Sequence, residues 1–226
     1  EVWSVLGRNG VGKTTLLHTL AGLRDPLGGQ IKLDGLALNS LATKARGQKV
    51  SILFQQAQAP ISTRAYDFVM SARHPWISRW AGPTRDDQDI VVESLSQMGV
   101  EALMHRDVDS LAGGERRRVE LAATVAQNAQ TILLDEPVNH LDLHYQINLL
   151  QGALKKWRAE GRAVVMVMHD LNLAIRFSDH LLCLCGDGST LQGETSVVAT
   201  TENLSTLLRY PLQELTLGDR SFFIPT

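Results

Sequence analysis

The sequence predicts an α/β fold: a mainly parallel sheet, a small antiparallel β element and a helical insert. Short apolar runs recur at residues 2–6, 50–54, 131–134, 164–168 and 181–184, with helical patterns between most of them. Strands that alternate with helices build a parallel sheet covered on both faces. Residues 31–35 alternate in polarity and end on Asp34-Gly35, a turn signal that sets a short antiparallel element beside the main sheet. Between Gln56 and Gln127 the strand pattern stops and helical spacing takes over.

The first run, Val2-Trp3-Ser4-Val5-Leu6, reads as a buried strand with only Glu1 ahead of it, so a further segment is expected upstream. A helical stretch follows at 15–21. Inside the insert, Thr84 caps a helix whose Asp87 stands three residues on, and Ile90, Val91, Ser94, Leu95 and Met98 share one face. Another helix follows Gly113-Gly114, with Val119, Ala122, Ala123 and Ala126 at i, i+3, i+4 and i+7, and leads back into the sheet at Thr131. Residues 201–226 read as a short terminal helix and tail, to which no function attaches.

With 44% hydrophobic and 20% charged residues, the 226-residue chain has the composition of a packed globular protein. Its formal net charge of -2 and the lack of a long basic run exclude non-specific capture of nucleic acid or of an anionic membrane. Arg116-Arg117-Arg118 reads as a solvated helix face. Cys183 and Cys185 fit neither a disulfide framework nor a zinc site, which indicates a reducing, cytosolic compartment. No stretch reaches the about eighteen apolar residues of a membrane helix, and no signal peptide is evident.

Gly7-Arg8-Asn9-Gly10-Val11-Gly12-Lys13-Thr14 matches G-x-x-x-x-G-K-[ST], between the first strand and the helix that continues through Thr15. The glycines let backbone amides converge on a phosphate, and the helix adds its N-terminal dipole. Lys13 reaches β and γ phosphates in such a loop and Thr14 ligates Mg²⁺. The chemistry is that of a nucleoside triphosphate. Asp135 and Glu136 emerge together after the run 131–134, at the strand end where open α/β sheets hold ligands. Asp135 is suited to help hold Mg²⁺ through water, and Glu136 to polarise the water that attacks the γ phosphate.

Leu111-Ala112-Gly113-Gly114-Glu115 resembles the signature of the ABC ATPases, usually Leu-Ser-Gly-Gly-Gln or Leu-Ser-Gly-Gly-Glu. The rest of that family's set follows in order: the phosphate loop, Gln55 closing a strand, the signature, Asp135-Glu136, Asn139-His140-Leu141-Asp142, and His169 after a strand. The resemblance implies one nucleotide-binding domain over 1–226, with a P-loop NTPase, RecA-like core at 1–55 and 128–226 and a helical subdomain at 56–127. It implies that Gln55 lines the metal and water site and senses a permease groove, with Gln56 and Gln58 close enough to compete for the role. His169 takes the part of the histidine that contacts the γ phosphate and helps hold Glu136.

Ala112, Gly113 and Gly114 open a helix whose amides would bind phosphate, yet the phosphate loop already fills that role within the chain. The second donor set therefore faces the ATP of another copy, in a head-to-tail dimer with Asp142 at the shared interface. Arg8-Asn9-Gly10, residues 136–142 and His169-Asp170-Leu171-Asn172 look closest to importers of iron-siderophores, haem and cobalamin. The implied setting is peripheral, on the cytoplasmic face of the plasma membrane. The implied partners are permease subunits, a second copy and, indirectly, a substrate-binding protein, with Trp76 and Trp80 on the permease-facing insert. Ala112 stands where the family has Ser, Val138 where Thr is usual, and the family's adenine-stacking residue falls upstream of Glu1. A soluble or exporter-type ABC ATPase and a small-molecule kinase are the competing readings.

Overall fold

The computed structural model describes residues 1–55, 63–78, 80–218 and 220–226. The chain runs β1 (Val2–Gly7), α1 (Lys13–Leu20), β2 (Lys32–Leu33), β3 (Leu36–Ala37), α2 (Thr43–Lys49), β4 (Val50–Leu53), α3 (Ala65–Ser71), α4 (Arg85–Gln97) and α5 (Gly113–Ala126). It continues through β5 (Thr131–Asp135), α6 (Leu143–Ala159), β6 (Ala163–Val167), α7 (Leu171–Phe177), β7 (His180–Leu184), β8 (Thr190–Glu194), α8 (Thr195–Val198), α9 (Thr201–Leu208), β9 (Leu212–Leu217) and β10 (Arg220–Pro225). Six strands form the main sheet in the order β4-β5-β6-β1-β7-β8, parallel except for the β7–β8 pair.

The β-branched and leucine-rich strands are apolar on both faces because both faces are covered. On one face Val5, Leu133 and Val167 pack with Leu17 of α1 and with Ala21, the residue that follows that helix. On the other Ile132, Leu134, Val164 and Met166 pack with residues of α5, α6 and α7, including Val119, Trp157 and Phe177. The antiparallel element is the hairpin of β2 and β3, turned by Asp34 and Gly35, both at positive φ.

Helices α3, α4 and α5 pack on one another beside the β4 edge. Thr84 and Asp87 form the expected capping box at α4, and Asp87 also pairs with Arg73 inside the bundle at 2.9 Å. Arg73 in turn donates to the carbonyl of Ala126 at the end of α5 (2.8 Å). Burial alone would push Asp87 up, but hydrogen bonds from Thr84 and Arg73 outweigh it and hold the carboxyl below its ordinary value.

One expectation is corrected. After α9 the chain does not trail off: β9 and β10 pair as an antiparallel hairpin. Leu212 and Phe223 enter the main core, and Asn172 of α7 bonds both backbone groups of Phe223, accepting from its N–H (2.9 Å) and donating to its carbonyl (3.2 Å). The available signal was the short run Leu215-Thr216-Leu217 before Gly218, followed by Phe222-Phe223-Ile224. Among the described residues no helix is long and apolar enough to cross a membrane.

Breaking a buried ion pair leaves an uncompensated charge, at a cost of about 3 kcal/mol or more. Asp87→Ala is therefore expected to lower the unfolding free energy by about that amount in a urea titration at pH 7. Because the folded pKa lies below the unfolded one, the wild-type advantage is complete above about pH 4 and fades as pH falls through the lowered value. An equal loss at every pH would overturn this assignment.

Candidate active site

Four neighbouring strands, β4, β5, β6 and β1, end at the same edge of the sheet, and each delivers one part of the site. From β1 comes the phosphate loop. Its Gly7 lies where a Cβ would meet the Leu184 carbonyl at 2.8 Å, and Gly12, the residue before α1, has φ of 107°, a conformation that side chains resist. Lys13 is buried and its Nζ donates to the carbonyls of Gly7 (2.7 Å) and Arg8 (3.2 Å). Desolvation lowers its pKa, while Glu136 and Asp135 pull the other way.

From β5 come Asp135 and Glu136. Asp135 is fully buried and neither of its carboxylate oxygens has a hydrogen-bond partner of ordinary geometry among the described residues. Burial raises its pKa first, the Glu136 charge adds to this, and the nearby Thr14 hydroxyl works against it. Glu136 takes a left-handed backbone conformation, φ 51°. Its Oε1 accepts from Gln55 Nε2 (3.0 Å) and lies within hydrogen-bonding reach of His169 Nε2, while Oε2 accepts from Asn139 Nδ2. Gln55 follows β4 and His169 follows β6, so one carboxylate is gripped from three strand ends.

A cleft of about 310 Å³ brings Asn9, Gly10, Gly12, Lys13, Thr14 and Thr15 against Gln55, Glu136 and His169. Val11 instead lines an adjoining cavity with Arg8 and Gly186. Gln56 and Gln58 lie outside the described residues.

Ala112, Gly113 and Gly114 are not brought to this cleft. Ala112 is the residue before α5, and its N–H donates to the Glu115 carboxylate (3.0 Å) with no hydroxyl to return the bond. Gly114 lies against the carbonyl of His140, where a Cβ would approach to 3.1 Å. Asp142 caps α6 by accepting from the N–H of Tyr145 (3.0 Å) and is exposed.

Two residues escaped the sequence reading. Asn139 was seen only as part of a motif; the signal was its place three residues after Glu136. Arg117 was read with its neighbours as solvated, and the structure corrects this: it is 3% exposed and paired with Glu120 at 2.9 Å. Helical spacing explains the difference, since Arg117 lies nearer the face of α5 that meets the sheet end, whereas Arg116 and Arg118 are half-exposed.

A strand, a glycine-rich phosphate loop and a helix, with an acidic pair at a nearby strand end, define a P-loop nucleotide-binding protein. The family model described as ABC transporter matches residues 1–139. A Bacillus subtilis (strain 168) protein assigned as the siderophore transport system ATP-binding protein YusV is 37% identical over 203 residues, 88% of this chain and 73% of that protein. The solved structure of a protein assigned as a metal-chelate type ABC transporter, in an inward-facing conformation, aligns with a TM-score of 0.85 at 28% identity, over 100% of this chain and 86% of the other. A dimeric post-hydrolysis structure of the ATP-binding cassette MJ0796, bound to ADP and Pi, aligns with a TM-score of 0.78 at 28% identity, over 86% and 85% of the two chains. The chain belongs to the ABC transporter family and is an ATPase of that family.

Asp135→Asn is expected to stabilise the chain without nucleotide, raising Tm at pH 8 by about 2 °C or more, the equivalent of roughly 1 kcal/mol at this size. A carboxyl whose pKa is raised on folding penalises the folded state above that raised value and not below about pH 3.9, its unfolded value. The gain in Tm should thus shrink as pH falls through this window, and a gain independent of pH would count against a charged, unpartnered Asp135.

Proposed function

We propose that this chain hydrolyses ATP with Glu136 as general base and that two copies, bound to permease subunits, use the energy to import a metal chelate such as an iron-siderophore, haem or cobalamin. The observation that carries the catalytic reading is the Glu136 carboxylate, held by Gln55, Asn139 and His169 at the mouth of the phosphate-loop cleft. Lys13 exchanges its two loop carbonyls for the β and γ phosphates, and amides from Asn9 to Thr15 cradle the same groups. Glu136 polarises the attacking water, and His169 keeps the carboxylate aimed.

The buried oxygens of Asp135, without a hydrogen-bond partner of ordinary geometry among the described residues and close to the Thr14 hydroxyl, suit a hard cation that takes its remaining ligands from water and phosphate. Thr14, Asp135 and Gln55 would hold Mg²⁺, which when bound neutralises charge on the phosphates.

Ala112, Gly113 and Gly114 are exposed or half-exposed at the start of α5, away from their own chain's cleft, which supports their use on the ATP of a second copy with Asp142 nearby. We divide the chain into a core of 1–55 and 128–226 and a helical subdomain of 56–127, the latter passing motion to the permease. Trp80, 94% exposed, and the half-exposed Trp76 lie on this insert. The relatives' transport of siderophores and metal chelates supports import, a peripheral place on the cytoplasmic face of the membrane, and a substrate-binding protein as indirect partner.

Glu136→Gln is expected to bind MgATP, release no phosphate and shift from monomer to dimer in size-exclusion chromatography with light scattering. A variant that binds ATP tightly and stays monomeric would overturn the sandwich for the isolated subunit. Ala112→Ser restores one hydroxyl donor to a charged group, worth about 1.5–3 kcal/mol, and is expected to improve ATP affinity or turnover roughly tenfold. No change in either quantity excludes Ala112 from the phosphate of the second copy.

A further inference from the structure

Three backbone carbonyls at or just beyond the ends of the parallel strands β4 and β5 converge on one buried side chain. Arg117 Nη1 donates to the carbonyl of Phe54 (2.7 Å), and Nη2 donates to the carbonyls of Asp135 (2.6 Å) and Glu136 (2.9 Å). Its charge is matched inside the protein by Glu120, so the guanidinium has no need of a nucleotide to balance it. Phe54 is the residue before Gln55, and Gln55 donates to the Glu136 carboxylate. Arg117 therefore fixes the backbone at both ends of that contact.

We propose that Arg117 is a positioning residue for hydrolysis, through which α5 sets the Glu136 carboxylate and the root of Gln55. This rests on the reading of Glu136 as the base. Glu136 sits at φ 51°, which a residue with a side chain holds only when its surroundings impose it, and Arg117 grips the peptide group that follows that strained position. Arg117 also lies little more than one turn from Gly113 and Gly114 on the same helix. A ligand or partner that shifts the start of α5 thus pulls on the carbonyls of Asp135 and Glu136 directly, without acting through the cleft. The planar fork is what permits three carbonyls and one carboxylate to share a single cation; a lysine ammonium supplies three donors at one point.

The test is steady-state phosphate release from MgATP by the whole chain, with Tm and ATP affinity measured on the same samples of Arg117→Lys, Arg117→Gln, Glu120→Gln and Glu136→Gln. A displaced base costs rate and leaves binding intact, so Arg117→Lys should lose about tenfold and Arg117→Gln up to about a hundredfold in kcat, with KM for ATP within about twofold. A folded Arg117→Lys with kcat within about twofold of wild type, or with loss confined to KM, overturns the proposal whatever happens to Tm. If neither Arg117 variant folds, Glu120→Gln decides: a fall in kcat of about threefold or more at unchanged KM supports the assignment, and wild-type kcat overturns it. Wild-type turnover in Glu136→Gln would instead sink the reading of Glu136 as base. Loss there beside unchanged turnover in the Arg117 or Glu120 variants overturns the role of Arg117 alone.

Discussion

The parallel register of β4, β5, β6 and β1 is the constraint on which the rest depends. Asp135 is paired with Val167 of β6, and Val167 is paired in turn with Val5 of β1. The acidic pair, His169 and the start of the phosphate loop thus leave the sheet within a residue or two of one level. Leu53 of β4 is paired with Leu134, which sets Gln55 at the same height. A slip of one residue in any of these pairings would send the following side chain to the opposite face, so the hydrophobic packing that fixes the register also fixes the geometry of the polar groups beyond it.

Those polar groups are gathered at a cost to folding. Lys13 is satisfied by two loop carbonyls and Glu136 by three side chains, but Asp135 is buried and, Thr14 nearby notwithstanding, neither of its oxygens has a hydrogen-bond partner of ordinary geometry among the described residues. A fold selected only for stability would replace it. Sites that must stabilise incoming charge are where such unrelieved burial gathers, and the compensating apolar burial lies close by, in Ile132, Leu133 and Leu134 of the same strand.

The five core strands of the parallel set and the capped helix α4 could be read from periodicity, because burial on both faces makes the strands short and continuously apolar and because Thr84 with Asp87 is a local device. The phosphate loop was legible for the same reason: its chemistry is contained in consecutive residues. Arg117, by contrast, meets Phe54, Asp135 and Glu136 only through tertiary structure, and within a run of three arginines the helical phase that buries one of them leaves no mark in composition. The terminal hairpin was missed because β9 is exposed over most of its length and because the partner that orders it, Asn172, lies far back in the chain.

That anchoring bears on the order in which the molecule becomes complete. Asn172 stands three residues after His169 and needs both backbone groups of Phe223 to satisfy its amide. As a nascent chain emerges from the ribosome, the phosphate loop, Gln55 and the acidic pair all appear well before the strand that steadies α7. The two bonds that Asn172 makes on the histidine's side of the cleft thus cannot form until Phe223 has been synthesised.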